Sequence, residues 1–291
     1  MKLSGLGALV AQTVRAWVDD KAPSRGAALA YYTLFSMAPL LLIVVAVAGL
    51  WLGPEAARGE VFAQVRDMAG EPAALAVEGA LRSVSRPEDG VVATLVGLVL
   101  MLVGATTVFA ELQATLDLIW RAPPPKATSL WSLLRARVLS FGLILGLGFL
   151  LVVSLALGAL VAMLQKWWMP HLAGWVWVHQ VLDLVLGLGL MTLLFALIYK
   201  VMPRVQLGWR DVWVGALVTA VLLTLGRWGI SFYLGHAAVA SGYGAAGSLV
   251  AVLVWVYYSA QIFLLGAEFT AVWARTVGSH RGRAGRESTG L

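Results

Sequence analysis

Long apolar stretches with few charged residues recur along the chain, separated by short polar segments. Six of them cover about residues 27–53, 90–110, 138–164, 181–201, 212–234 and 248–271. About 20 apolar residues suffice for a helix to cross the ~30 Å hydrocarbon core of a bilayer. The pattern therefore predicts six transmembrane helices.

Composition supports a membrane protein. Hydrophobic residues make up 60% of the 291 positions and charged residues 12%, and the mean hydropathy is +0.85. Soluble domains are about half apolar and about a quarter charged. We therefore predict an all-α polytopic integral membrane protein, with residues 1–275 as a single six-helix domain. The chain has no cysteine, which excludes disulfides and thiolate metal sites.

Lysine and arginine predict the orientation. The segments before span one and after spans two, four and six hold fifteen of these residues, whereas the segments on the opposite side hold five. The positive-inside rule then places both termini in the cytoplasm. Residues 1–20 lack the apolar core and cleavage site of a signal peptide, so we expect span one to remain as a signal anchor.

Two regions outside the spans have a distinct pattern. Residues 54–89 carry apolar side chains at helical spacing, including Phe62, Val65 and Val77, and predict one or two short amphipathic helices in the first outer loop. Residues 276–291 are polar and basic, and we expect a disordered cytoplasmic tail.

Polar residues inside spans are costly and are candidates for function. In span six, Tyr257, Gln261 and Glu268 share one helical face. They could line a cavity or provide a protonatable site. The alternative is interhelical hydrogen bonding, with Glu268 at the membrane interface.

Span five carries Thr224, Arg227 and Ser231 on one face. Arg227 could extend to the lipid phosphates at the membrane surface. The alternative is a buried cation that binds an anionic headgroup or pairs with a carboxylate. Asp183, near the outer start of span four, matches Arg227 in depth better than Glu268 does.

Span one carries Tyr32, Ser36 and Pro39 at positions i, i+4 and i+7. Proline removes a backbone hydrogen bond, so we expect a kink at Pro39. The kink could serve gating, or it could only shape packing.

Catalytic motifs are absent from the sequence. The four histidines show no metal-ligand spacing, and no Gly-x-Ser-x-Gly or GxGxxG motif occurs. We therefore expect no enzyme, no cofactor and no metal site.

Three segments resemble the YihY/BrkB family of bacterial inner-membrane proteins. They are residues 24–40 (SRGAALAYYTLFSMAPL), residues 111–120 (ELQATLDLIW) and residues 243–269, which end with the motif LGAEF. The resemblance covers nearly the whole chain. It implies six helices, cytoplasmic termini and the bacterial inner membrane. Members often bear the label ribonuclease BN. Some are linked to serum resistance, and one relative to export of lipopolysaccharide precursors.

The residues and the resemblance together predict movement or handling of an amphiphilic envelope lipid or a similar substrate. Membrane lipids, including an anionic lipid substrate, are the expected partners, together with a second copy of the chain or other membrane proteins, and without nucleic acid. The alternative is a scaffold or assembly partner in envelope biogenesis that transports nothing. A ribonuclease is disfavoured because no His/Asp cluster is available for a metal ion.

Overall fold

The computed structural model describes residues 3–69, 71, 74–75, 77–79, 107–123, 176–205, 207–236 and 247–279. Regular structure in this part is helical throughout, without strands. The helices are α1 Leu3–Asp19, α2 Ala22–Leu52, α3 Pro54–Ala69, α4 107–119, α5 Val176–Val201, α6 Trp209–His236 and α7 Gly247–Thr276. The predicted spans at 138–164 and 90–110, apart from residues 107–110 of the latter, lie outside the described residues.

The predicted all-helical class is confirmed for the described residues. Three helices contain stretches long and apolar enough to cross a membrane: Leu184–Val201 in α5, Trp209–Arg227 in α6 and Leu249–Thr276 in α7. These coincide with predicted spans four, five and six. Predicted span one corresponds to α2, apart from Gly53, which follows the last residue of the helix. The count of six spans and the orientation of the termini stay predictions.

Local sequence sets the ends of α2. The helix starts after Lys21, which adopts a left-handed conformation (φ 53°, ψ 38°), and Pro23 occupies its first turn. It ends at Gly53, whose φ of 84° favours glycine and whose N–H donates to the Gly49 carbonyl. Between these ends α2 runs through Pro39 as one helix. The expected kink there stays a prediction.

The amphipathic helix α1 was not predicted from the sequence. Leu9 and Thr13 are buried against the bundle, whereas Val10, Val14 and Val18 form an exposed stripe at four-residue spacing. Polar and glycine residues dilute this stripe in the sequence, and the segment is too short to cross a membrane. The helix packs mainly on α7, and its C-terminal end leads directly into α2.

Helix α3 lies where the sequence predicts a short amphipathic helix. Its buried face contains Ala57 and Val61, with Val65 partly buried, and packs near Val45 of α2. Val77 joins the same apolar cluster.

Helix α7 packs against α6, α2 and α1, and α5 packs against α6. Small residues let α6 and α7 approach closely. A Cβ at Gly215 would overlap the Thr270 side chain, and a Cβ at Gly266 would overlap that of Thr219. In membranes such contacts replace the hydrophobic driving force between helices.

Tyr199 joins all three of these helices. Its hydroxyl on α5 lies 3.0 Å from Thr219 Oγ1 of α6 and donates to the Phe263 carbonyl of α7 at 2.8 Å. Thr219 Oγ1 also donates to the Gly215 carbonyl at 2.8 Å. We call Tyr199, Gly215, Thr219, Phe263, Gly266 and Thr270 the Tyr199 hub. Each side-chain hydroxyl in the hub has a partner.

Candidate functional site

Charged side chains from four elements meet at one end of the bundle. The turn between α1 and α2, the C-terminal end of α4, the connection between α5 and α6, and the C-terminal part of α7 all contribute. We call this region the basic end. At its centre are Asp20, Arg121, Glu268 and Arg275.

The backbone of the α1–α2 turn places Asp20 inside the bundle. The N–H of Asp20 still donates to the Ala16 carbonyl, while Lys21 takes the left-handed conformation that starts α2. The Asp20 residue is 8% exposed, whereas Lys21 is exposed to solvent. A turn between two helices thereby carries a carboxyl group to the side of α7.

The carboxyl groups of Asp20 and Glu268 face each other. Glu268 is only 1% exposed, and its carboxyl interacts with the Asp20 carboxyl. Burying two carboxyl groups together requires compensating charge or a proton.

Two arginines accompany the carboxyl pair. Arg121 follows α4 in a left-handed conformation (φ 52°), and its Nη2 lies 2.8 Å from Asp20 Oδ1. Arg275 donates from Nη2 to the Ile119 carbonyl at 2.7 Å, which satisfies a C-terminal carbonyl of α4. The end of α4 is therefore fastened both to the α1–α2 turn and to α7.

Further polar contacts tie the same end of the bundle together. Arg204 Nε lies 3.4 Å from Asp117 Oδ2, and Gln113 donates to the Met202 carbonyl at 3.2 Å. Asp211 accepts hydrogen bonds at Oδ2 from the N–H and the hydroxyl of Ser279, at 3.0 and 2.5 Å. The first residues of the predicted tail are thus bound to the start of α6. Residues 280–291 lie outside the described part.

The predicted residues of span six divide between two surroundings. Gln261 Nε2 donates to the Pro23 carbonyl of α2 at 3.3 Å, where Gly26 leaves room for the amide. Glu268 lies two turns further along α7, at the basic end. Tyr257, predicted on the same face, is 37% exposed.

The predicted residues of span one bond within their own helix. The Ser36 hydroxyl donates to the Tyr32 carbonyl at 2.8 Å, with the Thr33 carbonyl 3.3 Å away. The Tyr32 ring packs edge-on against Tyr31, with centroids 5.7 Å apart. The backbone of Pro39 lies in α2, and its side chain is outside the described part.

The predicted residues of span five lie apart from the basic end. Thr224 donates to the Ala220 carbonyl within α6 at 2.8 Å, and Arg227 is exposed. The antiparallel contacts Gly215–Thr270 and Gly266–Thr219 set Arg227 about ten residues from the level of Glu268, or ~15 Å along the helix. Ser231 lies in α6 and Asp183 in α5, and both side chains are outside the described part.

The structure therefore joins Gln261 and Glu268 to the start of α2, and it separates Arg227 from both. Asp20, Arg121 and Arg275 were missed as site residues. Asp20 was not considered, and the two arginines were counted only for orientation. Their signal was position, because each lies at a helix end on the same predicted side of the membrane.

Hydrogen-bond partners are incomplete at this end. Six buried polar atoms of the described residues have no hydrogen-bond partner: Trp17 Nε1, Asp20 Oδ2, Arg25 Nε, Trp120 Nε1, Gln261 Oε1 and Glu268 Oε1. All six belong to α1, the α1–α2 turn, the start of α2, the end of α4 or α7. Buried polar groups are paired in the great majority of cases, so this concentration marks the region as chemically unusual. Within the described residues, no group of three acidic, histidine or cysteine side chains could hold a metal ion.

Comparison with known proteins identifies the family. The model of the virulence factor BrkB family matches residues 13–289. The chain belongs to this family. The match includes the α1–α2 turn, α4 and α7, and so it covers every residue at the centre of the basic end.

The curated relatives carry names that describe them as membrane proteins. A UPF0761 membrane protein of Tolumonas auensis is 28% identical over 270 residues, covering 88% of this chain and 82% of that protein. One of Stenotrophomonas maltophilia R551-3 is 30% identical and covers 89% of this chain, but only 59% of its own length is matched. The chain thus spans less than two thirds of several relatives. No solved structure matches it.

Proposed function

We propose that the chain moves or handles an anionic, amphiphilic lipid of the bacterial envelope at the inner membrane, without an enzymatic step. In this proposal six helices cross the membrane and both termini lie in the cytoplasm. Membership of a membrane-protein family and three apolar helices support the membrane location. The names of these relatives assign no activity.

The observation that carries the lipid proposal is Arg227. This arginine ends the apolar stretch Trp209–Arg227 of α6, is exposed, and forms no ion pair with any other described residue. A cation within an apolar helix is costly unless an anion compensates it. The phosphate of a lipid headgroup is the anion that a membrane supplies there.

A specific observation favours the second candidate, a scaffold that transports nothing. Gln261 bonds to the Pro23 carbonyl between helices, and Ser36 and Thr224 bond within their own helices. Such bonds fasten or satisfy helices without needing a substrate. Under this alternative Arg227 only anchors α6 to lipid phosphates.

A liposome experiment separates the two candidates. The full-length chain is reconstituted into phosphatidylethanolamine–phosphatidylglycerol vesicles containing fluorescent phosphatidylglycerol, and movement between leaflets is followed by chemical quenching. We expect faster movement than in protein-free vesicles, and we expect Arg227→Ala to lose most of the increase. Arg210→Ala is the matched control, because Arg210 is an exposed arginine in the first turn of the same helix. Wild-type protein that leaves the rate at the protein-free level would support the scaffold instead.

A further inference from the structure

The Asp20–Glu268 carboxyl pair combines burial with incomplete bonding. The two residues are 8% and 1% exposed, and their carboxyl groups interact with each other. They come from separate elements, the α1–α2 turn and α7. Their contact therefore reports how the start of α2 is docked on α7.

Each carboxyl group lacks a donor on one oxygen. Arg121 pairs with Asp20 Oδ1, and the hydrogen bond of Arg275 goes to the Ile119 carbonyl. Asp20 Oδ2 and Glu268 Oε1 are buried without a partner. The neighbouring arginines thus leave both of these acceptors unsatisfied.

A proton is the ligand that fits this arrangement. Ionised carboxylates only accept hydrogen bonds, so two of them in contact cannot bond to each other. A protonated carboxyl group donates one hydrogen bond, and a shared proton removes the repulsion between like charges. One proton gives the pair the donor that it lacks.

The surrounding charges limit uptake to a single proton. Among the described residues, the charges that act on Glu268 are those of Asp20, Arg275 and Arg121. The two arginines favour keeping one negative charge in the pair. Other charged groups of the basic end are already engaged: Arg25 lies 3.9 Å from Glu111, and Asp211 is bonded to Ser279.

We propose that Asp20 and Glu268 form a binding site for one proton, whose occupancy controls docking of the α1–α2 turn on α7. With the proton bound, the carboxyl groups are hydrogen bonded and the turn is held. With the proton released, two buried negative charges face each other and the turn is pushed away from α7. In the lipid-moving function proposed above, on which this coupling rests, the site links proton uptake to movement of α2 relative to α7.

Infrared spectroscopy tests the proton site without any transport assay. The full-length protein in lipid nanodiscs is titrated across neutral pH while the carbonyl absorption of protonated carboxylic acids is recorded. We expect one band that disappears as the pH rises. Labelling the protein with isotope-substituted aspartate or glutamate, without mutation, should shift this band with one or both labels.

Variants then assign the band. Glu268→Gln and Asp20→Asn should each abolish it, because either change removes one member of the pair. Asp211→Asn is the matched control. The Asp211 carboxyl lies at the same end of the bundle and the residue is 3% exposed, but its Oδ2 accepts two hydrogen bonds from Ser279. The control should retain the band. No titrating band in the wild type, or a band that persists in both variants, would overturn the proton site.

The coupling is tested separately from the site. In the vesicles described above, an imposed pH difference should change the distribution of labelled phosphatidylglycerol by about tenfold per pH unit for one coupled proton. Glu268→Gln should lose this dependence. A titrating band without any lipid movement would leave the proton site standing and contradict the lipid-moving function. Lipid movement with no titrating band would support the lipid-moving function and contradict the proton site.

Discussion

The Tyr199 hub and the basic end differ in how completely their buried polar groups are hydrogen bonded. Both hold polar groups among buried helices. In the hub, hydroxyl groups reach carbonyls and one another at 2.6 to 3.0 Å, and glycines provide the space. At the basic end, charged groups meet, and five of the six unpartnered buried atoms of the described residues lie there, all but Gln261 Oε1. The hydroxyl groups of the hub all have partners, as in the fully satisfied networks that rigidify a core, whereas the basic end retains buried polar atoms without a hydrogen-bond partner.

The largest expected effect comes from closing the space in the hub. Gly266→Leu would place a branched side chain where a Cβ alone already overlaps the Thr219 side chain. We expect α6 and α7 to be forced apart, with a loss of about 3 kcal/mol or more in the free energy of unfolding. Thermal unfolding of the purified protein in detergent measures this loss.

Gly189→Leu is the control for that experiment. Within the described residues, no atom lies within 4 Å of a Cβ built at Gly189 of α5, so the same side chain should be tolerated. Equal destabilisation by the two variants would show that the close approach at Gly266 does not govern stability.

A smaller effect is expected from unpairing the basic end. Arg121→Gln removes the charge that lies 2.8 Å from Asp20 Oδ1 while leaving the Asp20 carboxyl buried. We expect about 1–3 kcal/mol of destabilisation, because a buried acceptor loses its charged partner. Asp20→Asn in the same background should recover part of this loss, since the uncompensated charge is then gone. A double-mutant cycle by thermal unfolding provides the measurement, and strictly additive losses would contradict the pairing.

The smallest effect is expected from trimming one hydroxyl in the hub. Tyr199→Phe removes the hydrogen bond to the Phe263 carbonyl but keeps the ring packing against Phe195 and Phe263. Thr219 retains its bond to the Gly215 carbonyl. We expect a loss of about 1 kcal/mol, measured as a small decrease in unfolding temperature. The matched change Tyr257→Phe affects an exposed tyrosine and should have no measurable effect on unfolding.

Much of the helical framework could be predicted from the sequence. The apolar stretches at 181–201, 212–234 and 248–271 lie within α5, α6 and α7. The predicted helix in the first loop corresponds to α3. Helix α1 could not be found by a search for spans, because its apolar stripe covers only one side of a helix of 17 residues.

The candidate site was predictable only in part. Glu268 and Gln261 attract notice as polar residues in an apolar helix. Their partners could not be recognised in the same way, since Asp20 lies in the α1–α2 turn, Pro23 in the first turn of α2 and Arg121 just after a short helix. Arg227 and Glu268 were expected at different depths, and the register of α6 and α7 places them about 15 Å apart along the helix axis.

The sequence by itself determined the class of the protein and the positions of its apolar helices. About 20 consecutive apolar residues suffice for a helix to cross the bilayer, and this is a property of the local sequence alone. Only the tertiary structure decided which polar groups meet. Gln261 bonds to a carbonyl 238 positions away, and Arg275 to one 156 positions away. These pairings depend on the register and rotation of packed helices, which glycine contacts such as Gly215–Thr270 set between segments distant in sequence. The burial that leaves Asp20 and Glu268 facing each other follows from that packing.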